Sequence, residues 1–272
     1  MTLPRSRFWS QLTTRDFAAL DPAATVAVLP LGATEQHGPH LPLGVDSTLV
    51  DGIVAEALPL LPAALPVLFL PTQAIGLSPE HASFPGTLTL SAETLIRLWR
   101  EIGAGVARSG VRKLVFFNAH GGHTGAMEIA ARELRAAHGL IVYSVSWFNL
   151  PLGEAGAKFS AQEHRFGVHA GEIETSMMLA LAPAQVDMQA ARDFDSSSRQ
   201  RAADYPLLGD GKSARLGWAM EDYNPEGAAG NAAAAGAEKG RAVVEAAARQ
   251  LAALLAEVSR LPLATVHTGP LP

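Results

Sequence analysis

The chain has 272 residues, 48% of them apolar and 17% charged, with a formal net charge of −5 and no cysteine. That length and apolar share suffice for a substantial core, and the mild, unclustered charge argues against a nucleic-acid partner. Without cysteine there is neither a disulfide framework nor a thiolate ligand, so any transition metal has to be held by histidine and carboxylate. The opening segment from Met1 to Trp9 lacks the apolar region of a signal peptide, and no run of about 18 apolar residues follows. A cytoplasmic protein with no membrane partner is expected.

Short apolar runs alternate with amphipathic stretches along the chain. A strand is expected over 25–31, followed by a Gly/Pro-rich loop and a helix over 46–60. A second strand follows over 66–71. Ser91, with Glu93 after it and a periodic apolar run behind, marks the start of a helix over 91–109. Strands over 112–118 and 140–146 bracket a helix over 123–138. A helix over 170–182 precedes an irregular stretch, 183–232, read as long loops with one short helix. A last helix spans 234–259. Continuous apolar strands separated by helices predict a mostly parallel sheet covered on both faces, a three-layer α/β/α arrangement. No linker-like segment divides the sequence, so 1–272 is read as one domain.

Three segments with metal-binding side chains fall where strands should end, the usual ligand position in open α/β sheets. The first holds Glu35, His37 and Asp46. Glu35 and His37 are two apart, so an extended backbone points both to one side. A polar turn with Asp46 capping the 46–60 helix explains the same residues equally well. The second segment is Asn118-Ala119-His120-Gly121-Gly122-His123. His120 is either a ligand or a satisfied buried histidine, and the two glycines favour a close backbone approach. His123 is read as a polar neighbour of the site. The third segment runs from His169 through Glu172 and Glu174. His169 and Glu172 share a face if the stretch is helical, whereas Glu172 and Glu174 point to different sides. Acidic residues in a first helical turn also suit the helix dipole without any ligand. Together the segments offer enough nitrogen and oxygen donors for two divalent cations bridged by one carboxylate, with Asp46 the natural bridge.

The run from Glu35 to Leu43 with Asp46, the blocks Phe84–Thr87, Asn118–Gly122 and His169–Ser176, and the late Ala235–Gly240 occur in order over nearly the whole chain. In that order they resemble the creatininase (creatinine amidohydrolase) family. The resemblance implies the α/β/α layered fold and two divalent ions (zinc, manganese or iron). It also implies hydrolysis of a non-peptide C–N bond, in a cyclic amide or a formamide, by a metal-activated water. A homo-oligomer, a hexamer, acting on a small molecule is the expected assembly. Carried over by motif, Glu35, His37, Asp46 and His120 match metal ligands, and His169 matches the catalytic histidine, with a near-neutral pKa suited to protonating a leaving nitrogen. Trp147 matches a tryptophan that lines the substrate, alongside Gly121, Gly122 and His123. Creatinine-cleaving members carry Tyr-Glu directly after the ligand histidine, and that Glu binds metal. Here those positions are Gly121 and Gly122. Glu172 is expected to restore the missing ligand, with Glu174 kept beside His169 in the catalytic group as a support or alternative ligand. A Trp-Asp pair before the catalytic histidine is replaced by Arg165-Phe166-Gly167, so creatinine is not the expected substrate. Peptide-trimming relatives and a non-catalytic metal-binding module are the alternative readings.

Overall fold

The computed structural model describes residues 5–267, so the outermost ends of the expected 1–272 unit lie outside the described residues. After a short helix α1 (Thr14–Ala18), the chain builds β1 (Val26–Leu31), α2 (Val45–Ala57), β2 (Val67–Phe69), α3 (Ala92–Arg108), β3 (Lys113–Asn118), α4 (Thr124–His138) and β4 (Ile141–Ser146). The expected strands and helices over this half agree with the observed ones to within a few residues. The four strands form one parallel sheet in the order β2-β1-β3-β4.

The central strands β1 and β3 are buried along their full length. Successive side chains alternate between two cores because the strand period is two. Val26, Val28, Val115 and Phe117 pack on one side; Ala27, Leu29, Leu114 and Phe116 pack on the other. Helices α3 and α4 cover the second side. The first is covered by α2, by α6 (Glu172–Leu181) and by α8 (Ala237–Arg260). The three-layer α/β/α architecture is therefore present. Pro30 sits inside β1 without a ladder penalty: its missing N–H faces the β2 side, where the partner strand has already ended at Phe69. Gly240 lets α8 lie directly on the backbone of α6, because a Cβ there would collide with the carbonyl of Ser176.

Between β4 and α6 stands the short helix α5 (Ala161–Phe166). The irregular 183–232 stretch contains one short helix, α7 (Ser197–Asp204), as expected. It also contains a two-residue antiparallel pair, β5 (Asp193–Phe194) with β6 (Gly230–Asn231), which returns the chain to the edge of α6. Among the described residues no helix is long and apolar enough to cross a membrane.

Candidate metal centre

The C-terminal ends of β1 and β3 deliver the first two segments to one place. β1 ends at Leu31, and the loop after it brings Glu35 and His37 back over the sheet. Asp46 lies one residue inside α2, whose N-cap is Gly44, so it does not cap the helix and instead points into the site. β3 ends at Asn118, whose side chain donates to the His120 carbonyl at 2.6 Å and accepts from the His120 N–H at 3.1 Å. This bracket fixes the His120 loop.

α6 begins at Glu172, so His169 precedes the helix and the expected shared face with Glu172 does not exist. Instead His169 bridges to Ala229, and Ala170 adopts a positive φ of 53°. This turn aims the Ala170 N–H at Glu174, whose Oε2 accepts it at 2.6 Å. Glu163, on α5, accepts from the backbone N–H groups of Glu172 and Asn231 and so holds the start of α6 in place.

The result is a buried cluster with a shared member. Glu35, Asp46 and His120 present ligand atoms within 4.8 Å of one another, and so do His37, Asp46 and Glu174. Asp46 belongs to both groups. A third grouping joins Glu35, His37 and His169. Expected ligand Glu172 is not among them. Its carboxylate turns outward to pair with Lys239. Two residues along a helix are rotated by about 200°, so only one of the two glutamates can face the cluster, and the structure gives that position to Glu174. His123, expected beside the substrate, lies behind His120 instead. Its Nε2 accepts from the Leu77 N–H at 3.2 Å and its Nδ1 donates to Asn118 Oδ1 at 2.9 Å. It is buried and its pKa is lowered to about 3 by that burial and by the neighbouring His120, so it stays neutral as a strut.

The donor atoms fit divalent ions. Glu35 Oε1 and Oε2, His37 Nε2 and Asp46 Oδ2 are all buried without a hydrogen-bond partner. Leaving such atoms unpaired costs about 1–3 kcal/mol each, more for charged groups. The imidazoles are turned so that one nitrogen of each is already used. His37 Nδ1 donates to the Glu35 carbonyl at 3.1 Å, and His120 Nε2 donates to the Leu77 carbonyl at 2.8 Å. The other nitrogen of each faces carboxylates: His37 Nε2 lies 3.6 Å from Asp46, and His120 Nδ1 lies 3.1 Å from Glu35 and 3.4 Å from Asp46. Anchoring through the far nitrogen is how metal-binding histidines are oriented.

Without ions, protons stand in. Burial alone would lower His37, but Asp46, Glu174 and Glu35 raise it to about 9. His120 is likewise held well above its ordinary value by Glu35 and Asp46 despite its burial. Burial raises Glu174 to about 7. Ion uptake must displace these protons, so affinity rises with pH, through about 7 as Glu174 ionises and on through about 9 as His37 does. At pH 7, loading the chelated protein should release about two protons from the two imidazolium rings, with a further part from Glu174, and the share from His37 should fade as pH rises past about 9. Titration in weakly buffered solution with a pH indicator measures it; uptake without proton release would contradict the assignment of His37 and His120.

The two glutamates can be separated directly. Glu174→Gln should lower the ion content of the purified protein. Glu172→Gln, which loses only the contact to Lys239, should leave that content unchanged. Elemental analysis distinguishes the two.

Above the cluster opens a cavity of about 380 Å³. Trp147 and Phe148 from the end of β4, Ile173 from α6 and Trp218 from the irregular stretch form apolar walls, and Gly121 and Gly122 line it beside His120. Two carboxylates and two histidines in this lining escape sequence reading, His164 beside Glu163 on α5 among them. Glu163 is one carboxylate. Glu80 and His81 sit on the 3₁₀ turn Pro79–His81 in the long loop after β2. Their signal is an acidic–imidazole pair in the loop after the second parallel strand. Glu80 explains Gly122: a Cβ at that position would collide with the Glu80 carboxylate and the Leu77 carbonyl.

His169 is held differently from the other rings. Its Nε2 donates to the Gln36 carbonyl at 2.7 Å, and its Nδ1 faces Glu35 Oε1 at 3.9 Å. Burial, then His37 and His81, keep its pKa well below the ordinary value. The near-neutral value expected from its role is thus replaced by a neutral ring with a bare Nδ1 turned to the cluster.

Comparison with known proteins accords with this geometry. The family model for creatinine amidohydrolase matches residues 10–255. A mycofactocin precursor peptide peptidase of Mycobacterium tuberculosis (strain ATCC 25618 / H37Rv) is 38% identical over 169 residues, which span 58% of this chain and 59% of that protein. The match thus covers less than two thirds of that peptidase's length. The creatinine amidohydrolase of Pseudomonas putida is 32% identical over 70% of this chain and 78% of its own. A crystal structure of creatinine amidohydrolase (creatininase) superposes with a TM-score of 0.74 at 27% identity, covering 93% of this chain and 98% of that one. Similar solved structures include a manganese form of creatininase and a zinc–zinc form of a creatininase variant. With the family model spanning nearly the whole length and the fold and ordered motifs agreeing with it, this chain belongs to the creatininase family.

Proposed function

We propose that the chain is a metal-dependent amidohydrolase that cleaves an amide C–N bond in a lactam or formamide. The reading rests above all on the unpaired buried atoms of Glu35, His37 and Asp46, on which ligand atoms of His120 and Glu174 converge, beneath a cavity with apolar walls. Asp46 would be shared by two ions, Glu35 and His120 would complete one site, and His37 and Glu174 the other. When bound, divalent ions supply Lewis acidity and a water of lowered pKa. The manganese and zinc–zinc forms among the solved relatives support that choice of ions.

The chain's own groups supply the rest. His169 Nδ1 is bare and faces the cluster, so it accepts a proton from the water that adds to the carbonyl carbon. It then returns that proton to the nitrogen as the C–N bond breaks. The Gln36 carbonyl holds the ring in the tautomer this transfer needs. Trp147, Phe148 and Trp218 exclude water and grip a flat amide. Creatinine is not the substrate of this reading. No side chain fits at position 122, and Arg165-Phe166-Gly167 replaces the Trp-Asp pair of creatinine-cleaving members.

A peptide substrate is the second reading. The similarity to precursor peptide peptidases favours it, as does the open rim at Gly121, where an added Cβ would meet nothing. The test is a screen of ion-loaded and chelated protein against N-formylglycinamide, 2-pyrrolidinone, creatinine and a blocked tetrapeptide, reading released amine by chromatography. Hydrolysis of formamide or lactam that vanishes on chelation is the expected result. Hydrolysis of the tetrapeptide alone would select the second reading. Loaded protein that hydrolyses none would be a binding module.

A further inference from the structure

Beside the metal ligands the cavity contains a histidine for which the reading above has no use. His81 is buried, 1% exposed, yet borders the cavity. Its ring lies over that of His169, with centroids 4.2 Å apart and planes 32° apart, and the edge of Trp218 closes on it at 6.1 Å. Its backbone is fixed by the turn, with its N–H donated to the Ser78 carbonyl at 3.1 Å.

The tautomer of His81 is set by one neighbour. Gln36 Oε1 accepts the Gly38 N–H at 2.9 Å, which fixes the amide so that Nε2 faces the ring. Gln36 Nε2 stands 2.8 Å from His81 Nδ1. An amide nitrogen can only donate, so Nδ1 must accept, and the ring proton must sit on Nε2. Nε2 has no hydrogen-bond partner within reach among the described residues. The nearest acceptor is Glu35 Oε1 at 3.6 Å, beyond hydrogen-bond length. A rigid N–H donor therefore points at the cluster with nothing to receive it.

Gln36 thus orients both stacked rings in opposite senses. Its backbone carbonyl takes the proton of His169 Nε2 and leaves that ring a bare nitrogen facing the site. Its side chain leaves His81 an N–H facing the site. An amide undergoing addition needs both: a base for the incoming water and a donor for the carbonyl oxygen as it gains charge.

We propose that His81 is a catalytic residue that donates an Nε2–H hydrogen bond to the developing oxyanion, and that Gln36 is its positioning residue. No proton is transferred and no covalent bond to His81 forms; the N–H shortens its contact as charge builds on oxygen. The proposal rests on the hydrolase reading. It also implies that planar carbonyl substrates enter with the oxygen towards the turn Pro79–His81.

Two measurements test it. In protein labelled with ¹⁵N-histidine and kept free of metal, long-range proton–nitrogen correlation should show His81 protonated at Nε2 and bare at Nδ1. A proton on Nδ1 overturns the proposal whatever the activity. In the ion-loaded enzyme, with whichever of N-formylglycinamide, 2-pyrrolidinone or the blocked tetrapeptide it hydrolyses, His81→Leu should lower kcat by about 10²–10³-fold. KM and ion content should hardly change. His81→Gln, whose amide N–H reaches the place of Nε2, should recover a large part of that loss. Gln36→Leu, which frees the tautomer, should lower kcat less than His81→Leu. Three results overturn the proposal: wild-type kcat in His81→Leu, a loss that tracks missing ions alone, or no rescue by Gln. If wild-type protein hydrolyses no probe, the hydrolase reading fails and takes this proposal with it; if wild type turns over and His81→Leu equals it, only this proposal fails.

Discussion

Asp46→Ala should abolish stable ion binding while leaving the metal-free fold intact. Asp46 is the only member common to the Glu35/His120 and the His37/Glu174 groups, so its removal takes a ligand from both sites at once. Loss of a group that merely supports a metal ligand weakens binding about 10- to 100-fold; loss of a shared ligand should exceed that. The fold should tolerate the change. In the metal-free protein His120 and His37 keep Asp46 ionised against its burial and the nearby Glu35 carboxylate, so its loss costs some stability, but those two rings can shed their protons in reply. Thermal melting with and without zinc or manganese separates the two effects. An ion at 100 times its dissociation constant stabilises the wild-type protein by about 2.7 kcal/mol, a shift of about 5 °C or more for a chain of this size. The variant should melt somewhat below metal-free wild type and show no shift with ions. A variant that still gains the full shift would place the ions elsewhere.

How much of this was legible in the sequence follows from which residues are local to a strand end. Glu35, His37 and His120 sit within a few residues of an apolar run, so the rule that parallel sheets present ligands at their C-terminal ends locates them without tertiary knowledge. Asp46 could be read as a helix cap, and only the observed start of α2 at Val45 turns it inward. The choice between Glu172 and Glu174 was not legible, because it depends on where α6 begins. That start is fixed by Glu163, nine residues before Glu172 on another helix, and by the positive φ of Ala170, which no periodicity announces. The helix expected from 170 begins at Glu172, a difference of two residues. Its consequence was large, since a two-residue shift turns a side chain through more than half a circle. His81 and Glu80 were hidden for a different reason. β2 is only three residues long and the loop after it runs on to α3, so nothing local ties that turn to the sheet edge. Sequence comparison marks Gly122 only by the ligand it lacks, whereas in the structure the Glu80 carboxylate takes the space of a side chain there.

His169→Ala separates chemistry from metal binding, the converse of Asp46→Ala. The ring sits against His37, centroids 4.1 Å apart, but its one hydrogen bond is to the Gln36 carbonyl, and the ligand sets sharing Asp46 are complete without it. Ion content should therefore stay near the wild-type level. If His169 Nδ1 is the atom that takes a proton from water and hands it to the leaving nitrogen, its removal should lower kcat by about 10²–10⁴-fold. KM should change far less, because no substrate contact is lost from the apolar walls. The pH profile carries a second signature. Burial keeps His169 neutral well below its ordinary pKa, so wild-type activity should persist into mildly acidic solution until that ring or the ligand set takes up protons. The variant should lose the step due to His169 while retaining the one due to metal loss, which metal analysis at each pH identifies. Since Glu35, His37 and His169 also form a grouping within ligand reach, the competing outcome is specific. If His169→Ala lost an equivalent of metal in proportion to its activity, the residue would be a ligand, and the proton transfer would have to be assigned to another group bordering the cavity.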